Sequence, residues 1–594
     1  MKSLILIPLS LILWNCSLPM QAPGAKISEA ELYEHISFLA SDELEGRKPG
    51  TPQSKQAAQY IADHYAALGL TPMGEDGFQY FDVVTSVNLG QANSLRSGAV
   101  EGVAGVDYTP LVFSANAARE AQLVFVDYGF QIDQDTLKWD SYAGLDVNGK
   151  WVMILRGNPE PDARSSKFDA YSSLRQKLLI ARDNGAAGVV FISGPQFDKD
   201  DELIELRIDR NFSRAALPVV HVKRPLAQQL MVTKATSIAD IEAALIESMT
   251  PLGFVMNDKL SINIEVLKQE VTTQNVIAML PGSDPVLKNE FIVIGAHYDH
   301  LGWGGVGSGS RNPDTVAVHN GADDNASGTA AVLEIAERLA LAKNAPRRSI
   351  LFMAFGAEEM GLLGSKFFTQ NPLIKLESVK QMINLDMVGR LDPEKRTLTI
   401  GGAGTALGME EFLANRSKGR GLNLAITPDG YGPSDHASFY VEDIPVLFFF
   451  TGITEEYHTP ADDVETINFA GEQVIANFAY DLIHEFATMD QTFEYQVAGP
   501  KSAPKSGKRG KVKMGIIPEF ANASSSGFLI GGVVGGGPAA LAGMQKGDVM
   551  ISLEGRSVKN VYDYMGRMAD VKPGQRISVE VMRGEEKLIL IVEL

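Results

Sequence analysis

Residues 291–302 read FIVIGAHYDHLG. The opening run is apolar without a break and rich in β-branched residues, the pattern of a strand whose two faces are both covered by helices. His297 and Asp299 follow it at once. The same arrangement recurs downstream. SILFMAFG (349–356) runs into AEEMGLLGS, with Glu358 and Glu359. MINLDMVG (382–389) carries Asp386 near its end. IPVLFFF (444–450) leads by a short loop to His458 in EEYHTPADD. Helical patterns separate these runs, over 328–342, after Gly361, and over 473–488. Strands alternating with helices predict an α/β domain with a mixed, mostly parallel sheet flanked by helices. In such sheets, sites form at the carboxyl ends of strands, where most of these polar residues sit.

Composition narrows the chemistry. The chain has 594 residues and a formal net charge of −20, with 73 acidic against 53 basic side chains. That balance argues against nucleic-acid binding, which needs a basic surface to neutralise phosphates. The single cysteine excludes a disulfide framework and a thiolate zinc site within one chain, and nine histidines remain as candidate ligands. A metal would have to be held by His, Asp and Glu.

Those residue types are found clustered. His297 can ligate through one imidazole nitrogen, with Asp299 fixing the ring from behind. In HNGADDNASG (319–328), Asp323 and Asp324 precede a helix. A carboxylate there can bridge two divalent ions about 3.5–4 Å apart. Asp323 is expected to ligate while Asp324 or Asn325 caps the helix. Glu358 and Glu359 are adjacent carboxylates at a strand end. Burying both without a cation would be costly, so one is expected to ligate and the other to act as general base. Asp386 and His458 complete an oxygen and nitrogen set suited to two zinc ions.

HYDHLG, GADDNASG, AEEMGLLGS, NLDMVG and YHTPADD, in this order, resemble the zinc aminopeptidase and glutamate carboxypeptidase family (peptidase family M twenty-eight). The resemblance covers residues 274–487. It implies two zinc ions per chain, one held by His297 and Asp386 and the other by Glu359 and His458, with Asp323 bridging. It further implies Glu358 as general base and acid, Asp299 as the partner of His297, and His436 in YGPSDHASFY as an oxyanion stabiliser. His300 and His319 match no ligand position.

Around this core the chain divides further. Residues 1–26 resemble a signal peptide: Lys2, then an apolar run from Leu4 to Trp14, then Cys16, in the manner of a lipoprotein signal. Export to the periplasm, outer membrane or cell surface is expected, with Cys16 as a possible lipid anchor. Residues 27–95 pattern as helices and are expected to belong to the peptidase domain. In them Leu32, Ile36 and Leu39 share a face and Ser28 can cap. Residues 96–265, with short β-rich runs such as LVFVDYG and GVVFISG, resemble an inserted protease-associated domain. His221 lies inside one of these apolar runs and is expected to be structural. Residues 266–490 hold the catalytic motifs. Residues 491–513, basic from Lys501 to Lys513, are expected to be a flexible linker. Residues 514–594 resemble a PDZ domain, with a helix expected near Val561–Ala569. A PDZ domain implies a partner peptide's C-terminus bound at Gly515, Ile516 and Ile517.

The expected function is an exported di-zinc exopeptidase, foremost an aminopeptidase acting on peptide substrates. The alternatives are a carboxypeptidase or other amide hydrolase on the same fold, or a peptide-binding scaffold.

Overall fold

The structure, a computed structural model, describes residues 26–594 apart from short stretches within 162–165, 208–216, 232–235, 500–512, 525–526, 534–536 and 559–585. The signal-like segment with Cys16 and most of the helix expected near Val561–Ala569 lie outside the described residues. Among the described residues no helix is long and apolar enough to cross a membrane. The chain forms two compact units, residues 82–271 and the remainder.

The larger unit opens with α1 (Glu29–Leu39) and α2 (Pro52–Ala67). Ser28 accepts a hydrogen bond from the Glu31 amide and caps α1, and Leu32, Ile36 and Leu39 are buried along one stripe. Then come β1 (Val266–Leu280), β2 (Phe291–His297), α3 (Gly328–Ala340), β3 (Ser349–Phe355), α4 (Leu363–Gln370), β4 (Val379–Leu385), β5 (Thr397–Gly401), β6 (Asn423–Ile426), α5 (His436–Val441), β7 (Val446–Phe450) and α6 (Phe469–Thr488). The last helix begins four residues before the expected Gln473, because Asn468 accepts from the Gly471 amide and sets an earlier cap.

The main sheet runs β1-β3-β2-β4-β7-β5-β6. β2 pairs in parallel with both β3 and β4, and β4 in parallel with β7. β1 and β5 join antiparallel. The sheet is therefore mixed, with a parallel centre. The four central strands all end at one edge, so the residues that follow them converge there. Every residue of β3 and β7 is buried, which is why these runs read as continuously apolar rather than alternating. On one side α3 and α6 cover the sheet, burying Leu333, Ile335, Ile475 and Leu482 with Ile294, Phe352 and Ile383.

The expected linker begins later than its composition suggests. Tyr495 pairs with Ala406, the Gln496 amide donates to Thr405 O, 2.9 Å, and Tyr440 Oη donates to Gly499 O, 3.0 Å. Residues 495–499 are thus pinned to the catalytic domain.

Residues 82–271 hold an eight-stranded sheet with its own apolar core, including Trp151, Phe125 and Ile192. In it His221 is fully buried. Its Nδ1 accepts from the Ile204 amide, 3.1 Å, and its Nε2 faces Ser193 Oγ at 3.3 Å and Arg156 Nη1 at 3.4 Å. Burial, with the nearby Arg156 charge, lowers its pKa to about 3. Residues 514–594 form a six-stranded sheet around Phe528, Ile530, Met550, Val579 and Val581.

Ile294 sits in β2 opposite Phe352 and Ile383 and is wholly buried. Ile294→Ala is expected to cost roughly 2–5 kcal/mol through lost burial and a cavity. Urea unfolding checks this, and a cost under about 1 kcal/mol would place the packing centre elsewhere.

Candidate metal centre

The strand ends deliver their side chains into one buried cluster. His297 is the last residue of β2, Glu358 and Glu359 follow β3 after a turn in which Ala357 has φ +58°, Asp386 follows β4, and His458 arrives on the loop after β7. His297 Nε2 lies 3.2 Å from Asp324 Oδ1, 3.5 Å from Asp386 Oδ1 and 3.9 Å from Glu358 Oε2. His458 Nε2 lies 3.1 Å from Asp324 Oδ2 and 3.2 Å from Glu359 Oε2. Asp324 therefore offers one oxygen to each imidazole.

This corrects the expectation that Asp323 bridges. Asp323 turns the other way: its Oδ1 accepts from the Gly389 amide, 2.8 Å, and from Ser327 Oγ, 3.2 Å. The reason is local backbone geometry. Asp324 and Asn325 leave helical dihedrals (φ −110°, ψ 89° and φ −136°, ψ 48°), which sends neighbouring carboxylates to opposite sides. Asn325 Oδ1 accepts from the Gly328 amide, 2.9 Å, and so caps α3. Asp462 fixes the turn, accepting from the amides of Asp323 and Asp324 at 2.9 and 3.0 Å.

Asp299 also differs from expectation. Its carboxylate is 3.9 Å from His297 Nδ1; the closer partner of that nitrogen is the Asp299 carbonyl, 3.1 Å. The carboxylate instead accepts from the amides of Glu358, 2.9 Å, and Glu359, 3.4 Å. It orients the glutamate turn, while its backbone orients the histidine. His436 opens α5, is buried, and stacks on Phe448 with ring centres 4.4 Å apart. Burial pushes its pKa down to about 3, so the ring is neutral.

His300, which matches no expected ligand position, also stands at the site. It is buried, with Nδ1 2.8 Å from Glu359 Oε1, and it forms a potential ligating group with Asp324 and Glu359, as His297 does with Asp324 and Asp386. The sequence signal was its place in HYDH, three residues after His297. His319 is held by Ser310 Oγ, 2.9 Å, and the Ala317 carbonyl, 2.9 Å.

The electrostatics fit a divalent cation. Ligand oxygens of Asp324 lie within 4.8 Å of those of both Asp386 and Glu359, and two unit charges at about 4 Å repel by roughly 4 kcal/mol at an effective dielectric near 20. Burial opposes protonation of the histidines, yet the carboxylates prevail. Asp386, Glu358 and Asp324 hold His297 well above its usual range, and Glu359 with Asp324 raises His458 to about 11. Burial, with Glu359, Asp435 and Asp386 nearby, raises Glu358 well above the ordinary carboxylate range. Asp386 Oδ1 is buried, with His297 Nε2 facing it at 3.5 Å. Each feature describes a site short of positive charge, and the donors are those zinc prefers.

Asp324→Asn is expected to bind fewer zinc ions per chain than the wild type. Asp323→Asn should keep the wild-type stoichiometry with affinity weakened by about 10–100-fold, as for an outer-sphere partner. Metal analysis after dialysis checks the pair; the reverse order would restore Asp323 as the bridge.

A family model described as Peptidase family M28 matches residues 275–483, and a PDZ domain model matches residues 512–594. Leupeptin-inactivating enzyme 1 from Streptomyces exfoliatus is 28% identical over 320 residues, which are 50% of this chain and 67% of that enzyme. Aminopeptidase YwaD from Bacillus subtilis (strain 168) is 31% identical over 334 residues, 54% of this chain and 59% of that protein. An aminopeptidase structure from Aneurinibacillus sp. strain AM-1 is 23% identical with a TM-score of 0.45, over 80% of this chain and 96% of that one. The alignment with YwaD thus spans under two thirds of that relative's length. Residues 275–483, which carry the strand-end ligand cluster, thus match peptidase family M28, and residues 512–594 match a PDZ domain.

Proposed function

We propose that the protein is a di-zinc aminopeptidase. The observation that carries this reading is the Asp324 carboxylate set between His297 and His458, with Glu358 beside the first of them. His297 and Asp386 would hold one zinc, His458 and Glu359 the other, and Asp324 both. Bound zinc would lower the pKa of a water and polarise the scissile carbonyl.

The chain's own groups do the rest. Glu358 takes the proton from the attacking water and passes it to the leaving amine. Asp299 keeps the Glu358 turn in place through the backbone amides. His436, neutral and stacked, offers a fixed dipole for the developing oxyanion. The surplus of carboxylates favours a substrate's free α-ammonium over a C-terminal carboxylate, which supports aminopeptidase over carboxypeptidase action. Met387, Phe448, Phe450, Ile453 and Tyr457 form an apolar cluster beside the site, and Tyr457 stacks on His458 with ring centres 3.9 Å apart. That wall supports preference for a large apolar N-terminal residue.

The same proposal includes export, resting on residues 1–26 with Cys16 as lipid anchor, a protease-associated role for residues 96–265, and a PDZ domain that takes a peptide's C-terminus. Its support there is the sequence pattern and the PDZ match.

Glu358→Gln is expected to keep its zinc and lose at least about 10²-fold in kcat on a leucyl anilide. Chelator should abolish wild-type activity, and leucyl should be cleaved better than glutamyl anilide. Full activity in the variant would remove Glu358 from its role.

A further inference from the structure

Arg47 belongs to the turn Asp42–Arg47, some 250 residues before the first ligand, yet it lies under the metal centre. It is wholly buried. Its Nε donates to Tyr298 O, 2.7 Å; Nη1 donates to Asn320 O, 2.7 Å, and to Leu39 O; Nη2 donates to Gly321 O, 3.0 Å. Tyr298 stands between His297 and Asp299. Asn320 and Gly321 lead directly into Asp323 and Asp324. One guanidinium thus ties together the two loops that bear the centre's ligands and joins both to α1.

The surrounding turn is shaped for this contact. Gly46 has φ +67°, and a Cβ there would stand 2.4 Å from His319 O and 2.9 Å from Gly302 N. Only glycine permits so close an approach. Asp42 Oδ1 adds a clasp by accepting from Asn320 Nδ2, 2.8 Å.

Charge adds a second effect. Burial lowers the Arg47 pKa to about 10, with Asp299, Asp462, Asp324 and Glu359 opposing the fall, so the group stays cationic at neutral pH. A carbonyl cage can hold a guanidinium without a direct carboxylate partner, and the fixed charge then offsets part of the repulsion among the ligands above it.

We propose that Arg47 is a positioning residue for the metal centre, holding the 297–299 and 320–324 loops at the spacing that lets Asp324 serve both histidines. This rests on the zinc reading above. The test is zinc affinity of the full chain, by competition with a fluorescent chelator, for wild type, Arg47→Lys, Arg47→Met and Asp42→Ala. Circular dichroism and thermal unfolding of the metal-free forms report folding.

Arg47→Met is expected to weaken zinc about 100-fold and Arg47→Lys, which keeps the charge but not the fork, about 10-fold. Asp42 is exposed, so Asp42→Ala should fold even if the Arg47 variants do not, and should weaken zinc several-fold, toward the lower end of the roughly 10–100-fold outer-shell range. Wild-type zinc affinity in every folded variant overturns the proposal, and a role in folding alone would give that result with lowered thermal midpoints. A wild type that binds no zinc overturns the metal reading itself.

Discussion

The structure depends on a concentration of negative charge that it cannot tolerate alone. Asp299, Asp324, Asp386, Glu358 and Glu359 meet at one buried edge of a sheet. Water is largely excluded there, so repulsion is weakly screened. The carboxylates raise the affinity of the two facing imidazoles for protons. In the proposed reading zinc would answer the same demand with more charge and fixed directions, and the histidines would then be ligands rather than counterions.

The fold is what makes that crowding possible. β2, β3, β4 and β7 run parallel, so four different chain segments release their next residues at one place. Short turns after each strand leave little freedom in where those residues land. Outside this ring lies a supporting layer: Asp299 on the glutamate amides, Asp462 on the aspartate amides, and Arg47 on the carbonyls beneath. Such outer contacts commonly decide whether ligands are held well enough to bind tightly.

Much of this was legible from residue order. Apolar runs ending in His297, Glu358, Glu359 and Asp386 announce both the parallel strands and the residues at their ends, since a buried strand and its exit are local patterns. Asp323 and Asp324 show where that legibility stops. Both are aspartates in one turn, and dihedrals at Asp324 and Asn325 decide which one faces the histidines. The part played by Asp299 was similarly hidden, because its carbonyl and its carboxylate serve different partners. Arg47 carried no signal at all, for its partners are backbone oxygens hundreds of residues away. The basic stretch after Lys501 reads as a tether, but the segment just before it is held by Tyr440 and Ala406 through contacts that composition does not encode.

In the proposed reading Asp324 joins two metal positions. Crystals of the zinc-loaded protein, measured on both sides of the zinc absorption edge, test it directly. Two anomalous peaks are expected astride the Asp324 carboxylate, each about 2.0–2.2 Å from its ligands, one beside His297 and Asp386 and the other beside His458 and Glu359. A single peak, or two peaks with Asp323 between them, would contradict it.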